Sequence, residues 1–77
     1  MDGKLIKDQT LYDQMKGVFK DAYFEIHAIY EPDGYGFTGA WYCAAVDLFM
    51  PGLTFRVWFE MADGAIQIRW ADRWHFG

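Results

Sequence analysis

From Asp8 onward the apolar residues Leu11, Met15, Val18, Phe19 and Ala22 recur at i, i+4, i+7, i+8 and i+11, while Asp13, Lys16, Gly17 and Lys20 take the opposite side. That spacing traces one face of a helix and predicts an amphipathic helix over about residues 9–22. Its start is marked by Asp8 or Thr10, and Thr10-Leu11-Tyr12-Asp13 follows the loose capping pattern of a hydroxyl three residues ahead of an acid. Gly17 in the helix interior costs about 1 kcal/mol relative to Ala, so the helix depends on docking.

At Tyr23 the period changes to two. Alternation in YFEIHAIYE, TFRVWFEM and AIQIRW, together with the long apolar run FTGAWYCAAVDLF, predicts strands over about 23–31, 37–49, 54–61 and 65–71, followed by a tail over 72–77. The turn-forming stretches PDGYG, MPGL and ADG separate them. The second of these segments has another reading: residues 38–49 are alanine-rich and not strictly alternating, and would suit a helix capped by Thr38 and stopped before Pro51.

Two hairpins fix a register for the strand reading. A two-residue turn at Asp63-Gly64 sets Met61 against Ile66, Phe59 against Ile68, Val57 against Trp70 and Trp58 against Arg69. A turn at Pro51-Gly52 sets Leu48 against Phe55, Val46 against Val57, Ala44 against Phe59 and Asp47 against Arg56. Both put the same residues of the third strand on one apolar side. Because Pro-Gly prefers type I or II turns, which suit a tight hairpin poorly, a wider loop is also open there. A three-residue loop at Pro32-Asp33-Gly34 then pairs Phe24 with Tyr42 and Ile26 with Ala40 on the helix side, and His27 with Gly39. In the last strand Asp72 would fall on the apolar side opposite Phe55, a misfit that places a bulge or strand end near Ala71.

One helix covers one face of a sheet. On this register the other face carries Ile29, Phe37, Trp41, Phe49 and Trp58 among Glu25, His27, Asp47, Arg56, Glu60 and Arg69, more apolar surface than a monomer normally shows to water. Trp, Tyr and Arg are the types that dominate binding hot spots. The expected partner-binding residues are therefore Phe37, Trp41, Arg56, Trp58, Arg69, Arg73, Trp74 and Phe76, contacting another protein or an identical subunit. The bland alternative is that the C-terminal tail folds over this face, or that the register slips by one residue.

Composition narrows the function. Aromatic residues make up 21% of the 77 positions, enough apolar area to fold one domain over residues 1–77 and to exclude a disordered chain. The net charge of -4 disfavours duplex DNA and anionic membranes, which bind through Lys and Arg, and the scattered acids form no phosphate-like ladder. A single cysteine, the absence of a signal-length apolar run at the start and the absence of a membrane-length stretch lead to the expectation of a cytoplasmic protein.

Catalytic and metal chemistry find little support. Cys43 and His27 lie about 13 Å apart on the expected register, too far for a hydrogen-bonded dyad, and Cys43 reads as a small core residue among alanines. His75 lies in the tail. Two histidines and one cysteine show no chelating interval, so neither a metal nor a cofactor is expected. Arg56, Arg69, Arg73 and the nearby tryptophans offer a second function, a small oligomer that stacks and neutralises a nucleotide or other anion. A structural homodimer joined through the outer faces is a third.

One helix followed by a four-stranded antiparallel meander resembles, in outline only, the cystatin-like arrangement of a curved sheet around a helix. No QxVxG-like segment is present, so no inhibitory residue carries over. In size and acidity the chain resembles the small inhibitors that phages and mobile elements direct against host enzymes or defence complexes. The expectation is an α+β domain, one N-terminal amphipathic helix on a curved four-stranded meander, working as a non-enzymatic protein-binding module.

Overall fold

The computed structural model describes residues 3–74. In chain order the elements are β1 (Leu5–Ile6), α1 (Gln9–Val18), β2 (Phe24–Tyr30), β3 (Tyr42–Leu48), β4 (Thr54–Ala62) and β5 (Ala65–Arg73). The strands form one antiparallel sheet in sequence order. The class is α+β, with five strands where alternation predicts four. Periodicity gives no sign of β1, because two apolar residues between Lys4 and Lys7 are too few to alternate. It is an edge strand pairing Leu5 with Tyr30 and Ile6 with Ile29.

Asp8 caps α1, its carboxylate accepting the Thr10 amide at 2.9 Å. The helix ends at Val18, four residues before the periodicity does. Its docking side is narrow: Met15 is fully buried, Leu11, Tyr12 and Phe19 are half-buried, and Val18 and Ala22 are exposed. Met15 joins Ile29, Ala44, Val46, Leu48, Val57 and Phe59 in one core between α1 and the sheet. Burying each such large side chain contributes about 1.5–3 kcal/mol, which offsets the poor intrinsic helicity around Gly17.

Residues 42–48 are strand, not helix, and six of the seven are buried. The β4–β5 hairpin follows expectation at its closed end: Asp63 (φ 54°) and Gly64 (φ 76°) both take the left-handed conformation of a two-residue type I′ turn. Met61 then faces Ile66 and Phe59 faces Ile68. The β3–β4 connection is wider than two residues. Leu48 bonds to Leu53 across residues 49–52, so Val46 faces Phe55 and Ala44 faces Val57, two positions away from the expected pairs but on the same sides of the sheet. Asp47 therefore meets Thr54 instead of Arg56.

The larger correction lies between β2 and β3. Their connection is the whole of residues 31–41, so Phe24 pairs with Leu48 instead of Tyr42, and Ile26 with Val46 instead of Ala40. Ala40 lies exposed in that loop. PDGYG supplies turn residues but does not close a short hairpin. Gly34 donates to the Gly39 carbonyl at 2.9 Å and Gly39 donates back to Gly36, folding the loop on itself. A side chain at Gly39 would sit 2.7 Å from the Tyr35 backbone oxygen, so only glycine fits.

Candidate functional site

Two β-bulges shape the face of the sheet opposite α1. In β2, Ile26 pairs with Val46 and Ala28 with Ala45, leaving His27 as an extra residue. In β5, Ile68 pairs with Phe59 and Trp70 with Trp58, leaving Arg69 extra. An inserted residue reverses the alternation beyond it. Ile29, expected on the outer face, is thereby turned into the core and is fully buried. Trp70, expected in the core against Val57, is turned outward and is 49% exposed. Asp72 moves from opposite Phe55 to opposite Arg56, so the misfit read near Ala71 is resolved two residues earlier, at Arg69.

The outer face is partly roofed. Loop 31–41 lies over the β3–β4–β5 end, where Tyr35, Thr38 and Trp41 share a cavity of about 210 Å³ with Cys43, Arg56 and Trp58. Trp41 and Trp58 are consequently half-buried. Above them Phe37 makes edge-on contacts with Trp41 (6.2 Å, 88°) and Trp70 (5.6 Å, 88°) while remaining 71% exposed. Tyr35, beside it, is 69% exposed. Phe49 is not part of this surface: it stands on the β3–β4 loop, edge-on to Phe55 at 6.3 Å.

The three arginines are dispersed. Arg56 stacks on Trp74 at 4.5 Å and lies 5.9 Å from Trp58. Arg69 does not stack on Trp58; its guanidinium donates to Glu60 at 2.8 Å and holds that carboxyl below the usual range. Arg73 lies on the other side of the sheet, over Phe55 at 5.9 Å. Of the expected partner-binding residues, Phe37, Trp41, Arg56, Trp58 and Trp74 share the outer side with Arg69, and Arg73 does not. Phe76 and His75 lie outside the described residues.

At the far end of the same face Asp47 is 4% exposed. Its carboxylate accepts from the Gly52 amide (2.9 Å), the Thr54 hydroxyl (2.7 Å) and the His27 ring (2.8 Å), and these donors, Gly52 first, hold its pKa at about 2. An ionised carboxylate only accepts, so His27 Nε2 carries the hydrogen. His27 is not opposite Gly39. Its bulge stands against Ala45, closer to Cys43 than expected, but Nε2 is committed to Asp47. Asp47 stands out in sequence as the one acid in an apolar run; its tie to His27 does not, because it needs both the bulge and the long loop.

Among the described residues no cluster of His, Cys, Asp or Glu has the makings of a metal site, and no helix is long and apolar enough to cross a membrane. Comparison with known proteins finds no matching family, no matching curated protein and no matching solved structure. The outer face therefore has to be read from its own chemistry.

Proposed function

We propose that the protein is a small, non-enzymatic protein-binding module, an inhibitor or antagonist by type, that docks a partner protein on Tyr35, Phe37 and Trp70. One observation carries this reading: the Phe37 ring contacts both Trp41 and Trp70 edge-on yet remains 71% exposed. An aromatic ring has few rotatable bonds and a large contact area, so it loses little rotamer entropy on docking, and contacts with two neighbouring rings reduce that loss further. The anion-binding alternative is less supported, because Arg69 is engaged by Glu60 and Arg73 faces the other way.

The test is photo-crosslinking with p-benzoylphenylalanine at position 37 and, as control, at Lys16 on the exposed side of α1. The expected outcome is one crosslinked protein from position 37 only, competed away by unlabelled protein but not by its Phe37→Ala or Trp70→Ala variants. A self-crosslink of dimer mass would replace the partner by a second copy. Identical products from positions 37 and 16 would sink the reading.

A further inference from the structure

A second cavity, of about 480 Å³, opens on the outer face at the end away from loop 31–41. Its volume falls within the range of small-ligand pockets. Tyr30 and Trp74 give it aromatic walls, Ala28 and Ala45 a low floor, and His27 and Asp47 its polar end. The sequence builds this space deliberately. The β2 bulge brings both His27 and Ala28 to the outer face, and the β5 bulge brings Trp74 round to the same side. Two alanines where neighbouring strands carry Trp and Arg leave a hollow instead of a packed surface.

Charge decides what fits the hollow. Among the described residues that line it, Asp47 is the one acid and none is Lys or Arg; Glu25, opposite Asp47 in the sheet, and Asp72, opposite Arg56, stand on the same side outside the cavity. Arg56 lines the neighbouring cavity and is stacked on Trp74. Among the described residues, the only basic group within ion-pair distance of Asp47 is His27. An ionised carboxylate beside aromatic faces, in a pocket with an apolar floor, is the environment that favours an organic cation, through Coulombic attraction and the negative faces of the rings.

We propose that this cleft receives the cationic side chain, arginine or lysine, of the docked protein partner. The assignment rests on the protein-binding reading of the outer face and adds the chemistry of the partner's anchor. The cation sits at the Asp47 end, attracted through space by a carboxylate that keeps its bonds to Gly52, Thr54 and His27, and its alkyl stem lies along Ala28 and Ala45.

N-acetyl-arginine amide and its neutral citrulline analogue, titrated separately into the isotopically labelled protein, test the proposal through the Trp74 indole N–H and the His27 ring signals. The arginine probe is expected to shift both saturably, with the citrulline probe about tenfold weaker. Ala45→Leu, which fills the floor of the cavity, is expected to abolish the response while circular dichroism stays unchanged. Equal response to both probes, or no saturable shift with either, would overturn the cleft assignment. Crosslinking from position 37 reads out separately. If it persists while the probes fail, the cleft is wrong and the docking face stands. If the probes bind but position 37 captures nothing, the docking reading is wrong, and with it the assignment to a partner's side chain.

Discussion

Asp47 shows how one residue can be conspicuous in sequence while its partners are not. An acid inside an apolar run has to be satisfied by hydrogen bonds, because an unpaired buried charge is very costly. Arg56 is the natural candidate only if the next turn is two residues long. The wider loop that Pro51-Gly52 enforces moves Thr54 into that place and brings the Gly52 amide to 2.9 Å from the carboxylate. The folded-state pKa of about 2 lies below the ordinary 3.8, so the unfolded chain binds the proton more tightly. The stabilisation is therefore complete above about pH 4 and is lost as pH falls toward 2. Melting temperature followed by circular dichroism is expected to drop across that window. Asp47→Asn should melt lower at neutral pH and lose this part of the drop; a variant with an unchanged acid profile would show that the three donors do not act on Asp47. Glu60, lowered by Arg69, works in the same direction, and Glu60→Gln isolates its share.

At the level of elements, existence and type were largely legible, and pairing was legible only where a turn was chemically unambiguous. Asp63-Gly64 fixes a type I′ hairpin, and β4–β5 pairs as read until the bulge. Each bulge leaves a trace as an apolar spacing of three in place of two, Ile26 to Ile29 and Ile68 to Ala71. Strict alternation overrides that trace and sends Ile29 outward and Trp70 inward. The short β1 has no pattern of its own because its attachment is tertiary. Tyr12 of α1 donates its hydroxyl to the Ile6 carbonyl at 2.9 Å and accepts the Ile29 amide at 3.1 Å, bridging the two strands where β1 turns into the helix. Tyr12→Phe keeps the ring and leaves both backbone groups without this partner. Urea denaturation should register a loss of about 1–3 kcal/mol, and amide exchange should speed at Ile29. A variant as stable as the parent, with Ile29 still protected, would mean that the strands bond directly and the hydroxyl is incidental.

Across the molecule the sheet separates two tasks. The α1 side holds the core, and the outer side holds a folded loop, two cavities and the exposed rings. The accessible surface of 5104 Å² is close to the roughly 4900 Å² expected for a compact monomer of this mass, so Phe37 and Trp70 are exposed by placement and not because the fold is open. Cover for the outer face comes from loop 31–41 and, from the tail, from Trp74 stacked on Arg56, while residues 75–77 lie outside the described residues; the length of the loop is hidden in the sequence because its turn residues look like a tight hairpin. This division predicts opposite responses to removing aromatic rings. Phe59 is fully buried in the core, and Phe59→Ala should cost about 3–5 kcal/mol. For a chain of this length total stability is about 4–12 kcal/mol, so that variant should lose a large share of it and unfold at a much lower urea concentration than the parent. Phe37→Ala and Trp70→Ala remove rings of comparable size that water already reaches, and each should shift the urea midpoint by the equivalent of no more than about 1 kcal/mol. If either outer variant destabilised the protein as much as Phe59→Ala, the Phe37–Trp70 pair would be holding loop 31–41 onto the sheet as part of the fold. The aromatic rim would then be a structural clasp, and the surface available to a partner would shrink to the cleft beside Asp47.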